Sequence, residues 1–317
     1  MKRSVGKCVV LMGLLTAPGV ALADRTYTLD ADFDEGVLKS VNHNAPRNNQ
    51  LQLDTSSTTE PFIWVANYGI GTVTKLDTRT GKQVAKYDSV LVKNWDGSVP
   101  STSAPRSGCN SPSRTAVDGE GNAYVANRGL GCASAVTDTL TKYGGSLGAC
   151  VDRNGNGQID TSRDDNNDGS IDMANPKEFF GQADECVLWT KSYAAPGDWG
   201  RSVAVDANQD VWVGGFATSK LYKLDGQTGA LLQTIDPNAE TGVLAHTYGI
   251  AIGPGGYIYT SDIDYGRLRK IDPNSKTGKY VVRTISAGMG TYGLAVDKIG
   301  IVWLGNWTGG NGGVVRA

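Results

Sequence analysis

Five segments of the chain carry one pattern: FIWVAN (62–67), NAYVAN (122–127), DVWVGG (210–215), YIYTSD (257–262) and IVWLGN (301–306). Each has an aromatic at its third place (Trp64, Tyr124, Trp212, Tyr259, Trp303), followed by a β-branched residue or Leu and then small or polar residues. Such runs read as strands. A second strand precedes most copies across a polar turn, in RTAVD (114–118), SVAVD (202–206), GIAIG (249–253) and GLAVD (293–297), with QLQLD (50–54) as a weaker first copy. A third follows each copy: TVTKLD (72–77), TLTKYG (139–144), KLYKLD (220–225), RLRKID (267–272) and GVVRA (313–317). A fourth comes after a Thr-Gly turn, as in QVAKY, ALLQTI and KYVVRTI. Repeated units of four antiparallel strands predict an all-β chain folded as a β-propeller.

The repeat aromatics are 60, 88, 47 and 44 residues apart. The last two intervals match a bare blade of about 40–50 residues. The first therefore contains an extended loop over 90–113, and the second an insertion of about 40 residues, since connections inside a blade are short. The last copy stops after its third strand. Either GVLKSVN (36–42) supplies the missing strand and closes five blades, or the chain is part of a six- or seven-bladed ring. The 42 glycines in 317 residues, against 11 prolines and no G-X-Y period, fit a chain of many turns.

Residues 1–23 read as a secretory signal peptide: Lys2, Arg3 and Lys7 form a basic start, 9–15 a short apolar stretch, and Ala21-Leu22-Ala23 a small-residue cleavage site. The expected location is secreted or periplasmic, with 24–317 as the propeller. Four cysteines then remain. Cys109 and Cys132 fall in loops on the face where inner strands begin, the top. Cys150 and Cys186 flank the insertion below, so the expected disulfides are Cys109–Cys132 and Cys150–Cys186.

Between the second pair lies DRNGNGQIDTSRDDNNDGSID (152–172). Calcium loops place oxygen donors at positions 1, 3, 5, 7 and 9, with Gly at 6. Two registers fit. One uses Asp152, Asn154, Asn156, the Gln158 carbonyl and Asp160, with Gly157 at the turn. The other uses Asp164, Asn166, Asp168, the Ser170 carbonyl and Asp172, with Gly169. The stretch resembles the tandem loops of EF-hand-like, dockerin and thrombospondin type 3 repeats, although position 12 holds Arg163 and Asn175 in place of a bidentate Glu. A solvated acidic loop is the plain alternative. From Cys150 to Cys186 nine carboxylates face three cations. Such a cluster repels itself unless a cation joins it, so Ca2+ is expected to stiffen the insertion (150–186).

Segments such as YGIAIGPGGYIYTSD and YGLAVDKIGIVWLGN resemble the blades of virginiamycin B lyase (streptogramin lyase) and related NHL propellers. WVANYGIGTVTKLDTRTGKQVAKY in turn is similar to YVTN-type propellers. The resemblance covers most of 50–317 and implies the fold. For activity, the lyase family implies a histidine and glutamates at the top of the ring, with Mg2+, eliminating across an ester linkage. Here the glutamate column reads Asn67, Asn127, Gly215, Asp262 and Asn306. His246 and Asp262 are thus the catalytic candidates, as base and metal ligand.

Arg114, Trp199, Arg201, Tyr248 and Tyr292 lie at or just before inner strands and, with Asn67, Asn127 and Asn306, are candidate ligand contacts at the top mouth. Lys75, Lys142, Lys223, Lys270 and Arg316 alternate with apolar residues and read as a solvated face. The preferred function is a secreted binding or interaction protein whose ligand or partner sits on the top face. The alternative is a metal-dependent lyase of the streptogramin-lyase type. No nucleic acid, no membrane span and a monomeric state are expected.

Overall fold

The computed structural model describes residues 28–34, 41–43, 48–53, 61–100, 106, 108–129, 138–307 and 314–317. The expected signal peptide and Cys132 lie outside them. The chain divides into two compact units, Met1–Thr59 and Glu60–Ala317.

In the first unit a short helix, α1 (Asp30–Phe33), is followed by β1 (Val41–Asn42) and β2 (Gln52–Leu53), which pair with each other in a two-stranded sheet of their own. Among the described residues Gln52–Leu53 thus pairs with Val41–Asn42 and not with Phe62–Asn67, which corrects the expectation that it is the inner strand of the first blade; of the expected closing strand 36–42, residues 36–40 lie outside the described ones. The reason is local. The buried His43 ring bridges Asp30 Oδ1 (3.0 Å) and Asp34 Oδ1 (2.9 Å), while Asp30 and Asn49 exchange backbone-to-side-chain hydrogen bonds of 2.7 and 2.6 Å. These contacts commit the segment to folding on itself.

The second unit consists of five antiparallel sheets, the blades of a β-propeller. Blade 1 holds β3 (Phe62–Asn67), β4 (Thr72–Asp77) and β5 (Gln83–Asp88); blade 2 holds β6 (Pro112–Val117), β7 (Ala123–Asn127), β8 (Thr139–Tyr143) and β9 (Val187–Ser192). Blade 3 runs β10 (Gly200–Val205), β11 (Val211–Gly215), β12 (Leu221–Leu224), β13 (Leu231–Ile235). After α2 (Pro237–Thr241), blade 4 runs β14 (Thr247–Ile252), β15 (Ile258–Asp262), β16 (Arg267–Ile271), β17 (Val281–Ser286). Blade 5 has β18 (Thr291–Val296), β19 (Val302–Asn306) and β20 (Val314–Arg316). Four of the five copies of the aromatic repeat are second strands, while in blade 1 the copy β3 is the first of the described strands; β6, β10, β14 and β18 neighbour one another in series as the inner strands.

A sheet buries its apolar faces against the neighbouring blades. Four separate cores result, one per junction. Trp64, Tyr87 and Val73 pack against Val125 and Tyr143; Tyr124 and Trp189 against Val213 and Leu224. Trp212 and Leu221 meet Ile258 and Ile271, and Tyr259 and Leu268 meet Val302 and Leu304. Four of the five repeat aromatics therefore each sit at one junction.

Of the column expected to be a solvated face, Arg316 is exposed but the lysines are not. Lys75 and Lys142 are each only 8% exposed. Lys75 Nζ donates to the Gly145 carbonyl (2.5 Å) and Lys142 Nζ to the Gly226 carbonyl (2.8 Å), in each case one blade further on. Lys223 Nζ pairs with Asp206 (3.0 Å) and Asp210 (2.9 Å), and Lys270 Nζ lies 4.0 Å from the Tyr257 ring. A third strand is an interior strand of its sheet, so a long cation there crosses the blade junction and donates to backbone.

The insertion leaves β8 and returns at β9, tied by the Cys150–Cys186 disulfide. It lies along the outer edge of blade 1: Gln83 N donates to Gly169 O (3.0 Å), Lys86 N to Ser162 Oγ (2.9 Å) and Ile171 N to the Gln83 side chain (3.3 Å). The long loop after β5 similarly runs along β9. Asn94 takes both backbone groups of Thr190, accepting from its N–H (2.8 Å) and donating to its carbonyl (2.7 Å). Cys109 is also disulfide-bonded. Among the described residues no helix is long and apolar enough to cross a membrane.

Gly145 joins two blades, accepting from Lys75 and donating its N–H to Asn122 Oδ1 (3.0 Å), and a Cβ there would overlap the Gly121 carbonyl. Gly145→Ala should cost about 3 kcal/mol, since backbone cannot move aside cheaply. Gly148→Ala, which meets only the Ser146 hydroxyl at 3.8 Å, should stay within about 0.5 kcal/mol of the parent. Urea midpoints of the two variants check this.

Candidate functional site at the mouth of the propeller

Inner strands of four blades enclose a cavity of about 210 Å³, lined among others by Arg114, Ser202, Tyr248, Ile250, Tyr292 and Leu294. Arg114 (β6), Arg201 (β10), Tyr248 (β14) and Tyr292 (β18) all lie in the first half of their strands, so their side chains meet at one end of the ring. Arg114 Nε donates to the Arg201 carbonyl (3.2 Å), and its guanidinium lies 5.3 Å from the Tyr248 ring and 5.2 Å from the Tyr292 ring. Arg201 donates to Ser113 Oγ (3.0 Å) and to the Tyr248 hydroxyl, over whose ring it stacks at 4.4 Å.

An aromatic chain continues outward. Tyr248 and Tyr292 are 4.5 Å apart, and Trp307 stacks on Tyr292 at 4.9 Å and 24°. On the other side Phe216 meets the Tyr248 ring edge-on at 6.0 Å, Trp199 at 6.3 Å and His246 at 5.0 Å. Hydrogen bonding with Tyr248 holds the Tyr292 phenol below its usual pKa, and Arg114 adds to the effect; burial raises that of Tyr248. Trp199 holds a left-handed backbone (φ +58°), costly for a bulky residue. Asp138 fixes it there, accepting from Asp198 N (2.8 Å) and Gly200 N (3.1 Å) on either side.

The candidate catalytic pair is not formed. His246 Nδ1 meets Asp264 Oδ2 at 2.6 Å, while Asp262, 1% exposed, accepts from the backbone N–H groups of Asp264 (3.0 Å) and Tyr265 (3.2 Å). Asp262 closes the β15–β16 turn through Oδ1, and its Oδ2 is buried without a hydrogen-bond partner. Asn67 and Asn127 also turn inward. Asn67 donates to Thr72 (3.0 Å) and Thr74 (2.8 Å), and Asn127 to the Ser89 carbonyl (3.0 Å). Asn306 stands opposite Thr291 in its ladder.

Sequence reasoning missed Arg128, Phe216 and Trp307. Each directly follows a copy of the aromatic repeat, as does Tyr68, so their place on the top face was available from the strand order. Arg128 stacks 5.9 Å from the Tyr68 ring, and burial lowers its pKa, with Arg201 and Arg114 acting in the same direction.

In the insertion, Asp152 accepts from Gly155 N (2.7 Å) and Gly157 N (2.8 Å), and Asn154 and Asn156 both donate to Asp160 Oδ2. The second loop repeats this, with Gly169 N on Asp164 Oδ2 (2.8 Å), Asp168 N on Asn166 and Ser170 N on Asp168. Two buried glutamates stand behind the loops. Glu185 accepts from the N–H groups of Arg153 (2.7 Å), Asn154 (3.1 Å) and Asp160 (2.9 Å); Glu178 accepts from Asp172 N (2.9 Å). Among the described residues no three His, Cys, Asp or Glu side chains form a metal-binding group. An oxygen cage here would draw on the Asn side chains and the Gln158 and Ser170 carbonyls as well.

No family model and no curated protein sequence matches the chain. Similar solved structures include a streptogramin B lyase (12% identity, 82% of this chain and 66% of that one, TM-score 0.46). Others are an inactive virginiamycin B lyase from Staphylococcus aureus with quinupristin (11%, 82% and 71%, 0.42) and a gluconolactonase from Xanthomonas campestris (14%, 80% and 67%, 0.43). The likeness concerns the fold alone, and the chain spans about two thirds of the length of the first.

Burial pushes the Asp138 carboxyl up to about 6 and that of Asp184, at the base of the insertion, up to about 7, even though both accept backbone hydrogen bonds. The native state therefore keeps protons that the unfolded chain releases near pH 4. Their contribution is complete below about pH 4 and lost as pH rises through about 6 to 7. Denaturation at about pH 5 and pH 8 should find the protein less stable at the higher value, with a shallower dependence in Asp138→Asn.

Proposed function

We propose that the chain is an exported, monomeric β-propeller that binds a small ligand at its mouth, without nucleic-acid partners, and that its insertion holds Ca2+. The observation that carries the binding reading is the character of the mouth: guanidiniums and phenols around a cavity, with a single carboxylate in the column, Asp262, whose Oδ1 closes a turn. An elimination needs a positioned base and a metal held by several carboxylates. His246 with Asp264 alone supplies the first and not the second, which disfavours the lyase and its Mg2+. Incubating the full chain with quinupristin and Mg2+ should give no ring-opened product; turnover abolished by His246→Ala would establish the enzyme reading instead.

For the insertion, the supporting observation is the pair of buried glutamates. Glu185 and Glu178, which accept N–H groups of the loops, are the carboxylates that would stand in for a position-12 glutamate where the loops have Arg163 and Asn175. Ca2+ bound by these loops would gain donors from Asp152, Asn154, Asn156 and Asp160, and from Asp164, Asn166, Asp168 and Asp172. It would also neutralise part of the local negative charge. If affinity lies in the extracellular range of about 10⁻⁴–10⁻³ M, a tenfold excess over Kd stabilises by about 1.4 kcal/mol. Melting should shift upward with Ca2+ and return with chelator, and less so in Glu185→Gln; no shift at about 10 mM overturns the reading.

A further inference from the structure

We infer that Arg114, Arg128 and Arg201 form an anion-binding site that takes a small ligand bearing a carboxylate or phosphate on a planar apolar body. This rests on the ligand-binding reading above. The ion pairs of the described residues use other cations, and none joins these three to a carboxylate. Arg114 and Arg201 make hydrogen bonds that hold their own positions. Arg128 differs: its Nε is buried without a hydrogen-bond partner, and its guanidinium lies over the face of Tyr68 among the described residues.

Three like charges gathered at one mouth, one of them unpartnered, lower the stability of the fold. Arg114 and Arg201 tie inner strands together, whereas among the described residues the Arg128 side chain holds no backbone group in place. The arrangement becomes favourable when an anion arrives. A guanidinium presents a planar fork of donors that matches carboxylate and phosphate oxygens, and a recess lined by one sign of charge concentrates the opposite one. The aromatic chain supplies the second half of the recognition. Tyr248, Tyr292 and Trp307 offer flat faces beside the cations, and flat apolar rings stack on such faces. Arg114, Tyr248 and Tyr292 line the cavity of about 210 Å³, while Arg128 and Arg201 stand outside its lining; that volume is smaller than the roughly 300–1,000 Å³ of drug-sized pockets, which points to a ligand of one ring.

The test is calorimetric titration of the full chain with benzoate, phenyl phosphate and the neutral benzamide at low salt. At least one anion should bind saturably and about tenfold or more tighter than benzamide, the worth of one charge-assisted hydrogen bond. Which anion binds separates carboxylate from phosphate. Arg128→Gln should weaken the anion about tenfold while leaving benzamide unchanged, with Arg128→Lys recovering part of the loss. Because it relieves repulsion, Arg128→Gln should also raise the melting temperature by about 2 °C. Benzamide binding as tightly as the anions, or Arg128→Gln binding like the parent, overturns the anion site while leaving the binding reading intact. A melting temperature lowered by Arg128→Gln makes the arginine structural and likewise overturns it. No saturable binding of any probe overturns both.

Discussion

The repeat aromatic, buried in four blades between its own sheet and the next, is the contact on which the architecture depends. Trp64, Tyr124, Trp212 and Tyr259 each anchor one junction, and the fold is a series of such junctions rather than one central core. Stability in an array of this kind is held by nearest neighbours. Trp303, the fifth aromatic, is 43% exposed and belongs to none of these cores.

Strand order was legible because every blade repeats the same burial problem, and a repeated problem leaves a repeated pattern. The Cys150–Cys186 bridge followed from that order, since the insertion joins adjacent antiparallel strands whose ends must lie together. What stayed hidden were choices the repeat does not dictate. Gln52–Leu53 has an alternating pattern like the other inner strands, but the hydrogen bonds of His43 and Asn49 decide its partner. Lys75 and Lys142 look like surface lysines because sequence shows the sheet face and not the blade that will cover it.

The candidate site was half legible for a related reason. Inner-strand residues such as Arg114 and Tyr248 could be placed because strand starts define the mouth. Pairing within a loop could not. Whether His246 meets Asp262 or Asp264 depends on which carboxylate caps the turn, and Asp262 is taken by the backbone N–H groups of Asp264 and Tyr265. Position alone would have added Tyr68, Arg128, Phe216 and Trp307, because the residue after a second strand emerges on the same face as the start of the first. The formal charge of −2 also concealed a division, with acid concentrated in the insertion and arginine at the mouth.

Outer strands are where a propeller is exposed to its neighbours in solution. An uncovered strand edge offers a row of donors and acceptors to any extended chain. In this molecule the edges of β5, β9 and β17 are occupied by the protein's own groups: the insertion, Asn94, and the Glu240 carboxylate on the N–H groups of Tyr280 and Val281 (3.0 and 2.9 Å). The insertion thus has a second consequence beyond any ion it holds. A chain whose insertion lost its shape would bare the edge of β5, and the outcome would be edge-to-edge association of otherwise folded molecules rather than unfolding.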